Sequence, residues 1–149
     1  MCCDKNLKQT MKTSYILVFT MTLLACSKDD HTVTLNGKWK LIKYHYLTVG
    51  TSESEPTNIS RSIIIDFSDN GGKGKMKGNT VTNSVSGDHE LFNDNQMKTL
   101  SFGGTKVGEP DWGSRFWDAI HTARSFEREG NKMFIYFNSG TGKMEFKKQ

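Results

Sequence analysis

The chain has 149 residues, 35% of them hydrophobic and 24% charged, with 20 Lys and Arg against 16 Asp and Glu. That is enough for one packed domain, and a net charge of +4 is too small to mark a nucleic-acid binder. The three cysteines are Cys2, Cys3 and Cys26, so everything after Cys26 lacks disulfides and cysteine-ligated metals and must be held by packing alone.

Residues 11–30 read MKTSYILVFTMTLLACSKDD. Lys12 gives a positive start, and Tyr15 to Ala25 is an uncharged, mostly apolar run. It suits the apolar centre of an export signal and is too short for a bilayer core, which takes ~20 residues. Met11 is the better start for such a signal; if Met1 is the true start, the leader is only longer. Leu23-Leu24-Ala25-Cys26 resembles the lipobox of bacterial lipoproteins. The resemblance implies cleavage before Cys26, acylation of its thiol, and a membrane anchor made of lipid. Several chains anchor firmly where one is marginal, because each buried CH₂ contributes ~0.8 kcal/mol. Lys28, Asp29 and Asp30 follow, and resemble the export tag of surface lipoproteins in Bacteroidetes-type bacteria. That implies display on the outer-membrane surface; a plain solvated tether is the alternative. The expected organisation is a signal over 1–25, the lipidated cysteine and tether over 26–34, and one domain over 35–149. The signal contains Lys5, Lys8, Lys12 and Asp4, so residues 26–149 carry 17 basic and 15 acidic groups, a net of +2.

Glycine is frequent, with 14 residues, and proline scarce, with 2, and turn-rich stretches separate short apolar runs. This favours antiparallel β structure. His31 to Asn36 reads as tether. Lys38 to Leu47 is strand-like, but its apolar residues follow two overlapping alternations, so a bulge or a doubly covered strand is expected. Thr48 to Ser60 is polar and reads as a loop. Arg61 to Phe67 is a strand with Ile63, Ile65 and Phe67 on one face. Ser68 to Gly72 is a turn, and Lys73 to Lys77 returns as the hairpin partner. Thr80 to Val85 and His89 to Phe92 are two weaker strands. Asn93 to Asn95 is a turn, and Met97 to Phe102 a strand. After a loop over 103–110, Asp111 is placed to cap the one long helix, residues 111–123. Trp112, Phe116, Ile120 and Ala123 form its apolar stripe. Phe126 to Arg128, Lys132 to Phe137 and Lys143 to Lys147 close the chain as strands, with turns at Glu129 to Asn131 and Asn138 to Gly142.

This order of elements resembles the META/HslJ-like domain over about residues 35–148. Leu35-Asn36-Gly37-Lys38-Trp39-Lys40-Leu41 is similar to that family's opening L-x-G-x-W-x-L, and IIIDFSDNGG to its second hairpin. The C-terminal half carries the best stretch: Thr105-Lys106, Phe116-Trp117-Asp118-Ala119-Ile120, Phe126, Gly130-Asn131-Lys132-Met133 and Met144-Glu145-Phe146. Gly78-Asn79-Thr80 departs from the Gly-Cys-Asn of many relatives. Gly37-Lys38-Trp39 is also similar to the G-x-W opening of lipocalins. Both resemblances imply a small antiparallel, lipocalin-like β-barrel with one α-helix in the C-terminal half, and Trp39 plugging one end. Neither implies a catalytic residue.

Gly140-Thr141-Gly142-Lys143 imitates part of a phosphate loop, but a strand rather than a helix follows it, so a hairpin is expected. His45, His89 beside Glu90, and His121 have no metal-ligand spacing, and no nucleophile–base group can be assembled. No cofactor and no enzymatic activity are expected. Lys73, Lys75 and Lys77 share one strand face; they are a solvated face or a contact for anionic sugars or lipid phosphates. Trp117 lies off the helix stripe and is the aromatic left for a partner. Large apolar residues, among them Trp39, Leu41, Ile63, Ile65, Phe67, Leu100, Phe102, Phe116, Ile120, Ile135 and Phe137, are expected to fill the interior. These features point to a monomeric, non-enzymatic, lipid-anchored module that meets an envelope protein or anionic glycan in envelope stress or at the surface. A lipocalin-like binder of a small apolar ligand is the alternative, and a surface hydrolase is disfavoured.

Overall fold

Residues 33–149 are described by a computed structural model; Cys26, Lys28, Asp29 and Asp30 lie outside the described residues. The sheet closes around β1 (Gly37–Tyr46). One edge of β1 pairs first with β3 (Ile64–Asp69) and then with β2 (Thr51–Ser54), and its other edge pairs with β9 (Gly142–Lys148). From β3 the ladder passes through β4 (Lys73–Asn79), β5 (Ser84–Phe92), β6 (Gln96–Gly104), β7 (Ser125–Glu129) and β8 (Lys132–Phe137) to β9. Every pairing is antiparallel, so the fold is a mainly β, barrel-like ring. The seam is thinnest between β6 and β7, which share a single residue pair, Gln96 with Ser125. The connection between those two strands contains α1 (Asp111–His121), the single α-helix among the described residues.

Side-chain alternation decides what enters the ring. Ile63, Ile65 and Phe67 are at most 1% exposed, as expected for one inward face. In β1 the two alternations are reconciled by a bulge between Leu41 and Lys43: Trp39 and Leu41 point inward before it, Tyr44 after it. Lys143 lies 4.4 Å from the centre of the Phe134 ring, which covers the outer side of β8 and explains why that strand is apolar on both faces. At the end where β1 begins, the Trp39 indole N–H donates to the Leu35 carbonyl at 2.8 Å, and Arg128 lies 5.2 Å from the ring. Trp112, Phe116, Ile120 and Ala123 of the predicted stripe are all buried. Among the hydrogen bonds that tie α1 to the barrel, Tyr44 Oη donates to the Trp112 carbonyl and Thr99 Oγ1 to that of Ile120.

Several expectations need correction. Thr48 to Ser60 is not all loop, because the free half of β1's edge recruits Thr51–Ser54 as β2. Thr80 to Val85 and His89 to Phe92 are not two strands: residues 80–83 turn, with the Thr80 N–H donating to the Asn83 carbonyl at 2.8 Å, and β5 runs unbroken from Ser84. Asp111 does not cap α1; Pro110 holds the cap position, and Asp111 is the first helical residue, where its charge still favours the helix dipole. The helix ends at His121 rather than Ala123. Leu35 belongs to the core rather than the tether, with its N–H bonded to Asp69 Oδ2 at 3.0 Å. Leu100 is outside the barrel, 44% exposed, because it is the extra residue of a bulge where Asp88 faces Ser101 and His89 faces Thr99.

Candidate functional site

β4 carries Lys73, Lys75 and Lys77 on the outer face, all exposed, with Met76 buried between them. Antiparallel pairing fixes their neighbours: Lys73 faces Glu90, Lys75 faces Asp88, and Lys77 lies between Asp66 and Ser86. Lys75 closes an ion pair of 3.0 Å on Asp88, whose carboxylate also accepts from Ser101 Oγ. The hydroxyl and the ammonium together hold Asp88 below the usual carboxylate range. The row is therefore a mixed-charge face rather than a uniform cationic stripe. Beside Lys77 lies a groove of about 480 Å³, bordered also by Lys38 and Arg61. Neither of those two residues was singled out from the sequence, because Lys38 and Lys77 are brought together by strand pairing and Arg61 joins them only in the folded groove.

The histidines fall into three environments. His121 is exposed at the end of α1. His45 meets the buried Glu145 at 2.8 Å, and Lys132 meets the same carboxylate at 2.8 Å. Burial alone would raise the Glu145 pKa, but the hydrogen bonds from Lys132 and His45 outweigh it and hold it below the ordinary value. His89 is fully buried, with its ring edge-on to Phe67 and its Nε2 3.5 Å from Asp69 Oδ2. Asp69 also receives the backbone N–H groups of Leu35 and Gly71, while Asn36 brackets its main chain. Asp69 thus pins the entering chain to the β3–β4 turn, over His89. No hydroxyl hydrogen-bonds a histidine among the described residues, and no group of three His, Cys, Asp or Glu there could hold a metal.

Burial pushes the His89 pKa below its usual value, against the upward pull of Asp69. The folded protein therefore keeps His89 neutral at a pH where the unfolded chain, with a pKa of ~6.5, takes up a proton. His89 contributes stability above the unfolded pKa and loses it as the pH falls towards the lowered folded value. Denaturation midpoints followed from about pH 7.5 to about pH 5.5 are expected to fall in the wild type and to stay flatter in His89→Leu. Equal slopes in the two proteins would remove His89 as the cause.

Arg115 on α1 forms a third centre. Its guanidinium forks onto both Glu53 oxygens, with Nη2 to Oε1 at 2.7 Å, and Nη1 donates to Tyr46 Oη at 2.6 Å. It also lies 5.4 Å from the Tyr44 ring. The Glu53 hydrogen bond raises the Arg115 pKa and, in return, lowers that of Glu53. Four of its five N–H groups are engaged, counting Nε on the Asp111 carbonyl, so it clamps β2 to the helix rather than offering a free cation. An apolar niche of about 170 Å³ between Tyr44, Ala119 and Phe137 adjoins it. Trp117 is half-buried against the core, with its ring edge-on to Phe102 and its Nε1 out of solvent, so only part of the indole faces outward.

No family model and no curated protein matches the chain. Two solved structures share its fold. An NMR structure of a protein from Burkholderia xenovorans superposes with a TM-score of 0.59 at 17% identity, over 76% of this chain and 82% of that one. A crystal structure of a DUF4847 family protein from Bacteroides vulgatus superposes with a TM-score of 0.58 at 15% identity, over 78% of this chain and 96% of that one. At such identities the likeness extends to the fold: this chain is similar to both in its antiparallel, helix-bearing, barrel-like sheet.

Proposed function

We propose that this protein is a non-enzymatic, META/HslJ-like module, anchored to the outer membrane through lipid on Cys26, displayed on the surface by Lys28, Asp29 and Asp30, and acting through the outside of its barrel. The observation that carries the reading is the filled interior. Trp39, Leu41, Phe67, Met76, Phe116 and Phe146 are each at most 1% exposed, and they come from β1, β3, β4 and β9 and from the helix. A pocket for a small apolar ligand takes roughly 300 Å³ or more, and the niche beside Phe137, at about 170 Å³, is smaller than that. Contacts with an envelope protein or an anionic glycan then fall to the outer face, where Lys73, Lys77 and the visible part of Trp117 are available. The protein works as a monomer in this reading.

Mass spectrometry of the protein purified from its own host membranes tests both halves. Under denaturing conditions the mass is expected to include acyl chains, which Cys26→Ala removes. Under native conditions, after a soak with fatty acids and haem, no stoichiometric adduct is expected. An unmodified Cys26 would remove the anchor. A bound apolar molecule, lost when Leu41 is enlarged, would replace surface action with the lipocalin-like alternative.

A further inference from the structure

The groove beside Lys77 has the composition of an anion site. Lys38 of β1, Asp66 of β3 and Lys77 of β4 stand in one row across three strands, with Lys38 opposite Asp66 and Asp66 opposite Lys77. Strands lie ~4.8 Å apart, so the two lysine backbones are ~10 Å from each other across the aspartate. Arg61 and Ile64 line the groove as well. The groove is open to solvent and measures about 480 Å³.

Two features separate this groove from an ordinary mixed-charge surface. First, Asp66 closes no ion pair within 4.0 Å among the described residues, although it has a lysine opposite it on each side. On the same face and with the same register, Lys75 does close on Asp88, at 3.0 Å. Lys38 and Lys77 thus keep their ammonium groups for something else. Second, Arg61 is held in place. Its Nε donates to the carbonyls of Thr80 at 2.9 Å and Val81 at 3.1 Å. The Asn79 amide fastens the same turn by donating to the carbonyls of Ser62 and Thr80. The two Nη groups of Arg61 have no hydrogen-bond partner among the described residues. An arginine fork fixed in advance, beside two unpaired ammonium groups, is the donor set that oxyanions prefer.

Charge selects among oxyanions. Lys38, Arg61 and Lys77 against Asp66 leave an excess of two positive charges. A phosphomonoester carries about −1.5 to −2 at neutral pH. We propose that the Lys38–Arg61–Lys77 groove binds a phosphomonoester group, with the Arg61 fork on its oxygens and the two lysines on either side. The proposal deepens the surface reading by giving the outer face a ligand, and its failure is distinguishable from failure of that reading, which the mass measurements decide separately.

Calorimetric titration of the full-length protein with glucose 6-phosphate, and co-sedimentation with vesicles of phosphatidic acid in phosphatidylcholine, test the groove. Saturable binding to at least one probe is expected. It should weaken by about tenfold or more in the Lys38→Gln/Lys77→Gln double variant, and in Arg61→Lys, which keeps the charge but loses the fork. Lys75→Gln, outside the groove, should bind as the wild type does. Binding of the soluble sugar phosphate identifies a free metabolite-like ligand as the source; binding of the vesicles alone identifies a lipid headgroup. Binding of neither probe, or a loss in Lys75→Gln as large as in the double variant, overturns the proposal.

Discussion

Replacing Phe116 by alanine is expected to destabilise the fold by ~3–5 kcal/mol, the usual cost of truncating a fully buried aromatic. Phe116 has no exposed surface, and its ring meets Phe102 edge-on at 5.8 Å. It sits at the middle of α1, between Trp112 and Ile120 on the same stripe. Losing it leaves a cavity that neither neighbour can fill, because both are anchored by their own backbone carbonyls, to Tyr44 and Thr99. A domain of this size has only ~5–15 kcal/mol of stability in total, so the variant should melt on the order of 10–20 °C lower. A thermal scan by circular dichroism measures this. A midpoint within a few degrees of wild type would mean that the helix does not pack on the barrel as described.

Adding one methyl group at Gly78 is also expected to destabilise the fold, for the opposite reason. A Cβ at this position would lie 2.0 Å from the Ile64 carbonyl oxygen and 3.1 Å from the Ile65 Cα. Both atoms are backbone, so no rotamer change relieves the clash; β3 must move away from β4. Overpacking of this kind costs ~1–3 kcal/mol, sometimes more. Gly103→Ala is the matched control, since a Cβ there meets nothing within 4 Å. Urea denaturation should shift the Gly78→Ala midpoint well below wild type and leave Gly103→Ala close to it. Similar midpoints for both variants would contradict the close approach of the two strands. Gly78 also borders the groove beside Lys77, so its backbone contact helps set the spacing of Lys38 and Lys77.

Local pattern in the sequence was sufficient for the helix and for the hairpins from β3 to β4 and from β7 to β9. Ile63, Ile65 and Phe67 alternate, and they line the interior. Trp112, Phe116, Ile120 and Ala123 recur at helical spacing, and they are buried. Turn residues such as Asp94 and Asn95, which both adopt positive φ, marked where strands reverse. Of the candidate surface, the β4 lysines were legible because they share one strand and therefore one face, and Trp117 because it falls off the helix stripe.

What remained hidden depends on which strand lies beside which. β2 reads as polar loop, because its strand conformation comes from the open half of β1's edge rather than from its own side chains. His89 shows no sign of burial in its neighbours; it is buried because its inward-facing position on β5 sets it against Phe67 and Asp69 of β3. Leu100 is apolar yet exposed, because a bulge flips the phase of β6, and nothing local requires that bulge. Lys38, Arg61 and Lys77 become one groove, and Arg115 meets Glu53, only once distant segments pair. The sequence by itself therefore determined the helix, most of the strands and most of their inward faces, since alternation and helical spacing act over a few residues. The ring closure, the bulges and the cationic groove were decided by the tertiary structure, because they depend on register between strands far apart in the chain.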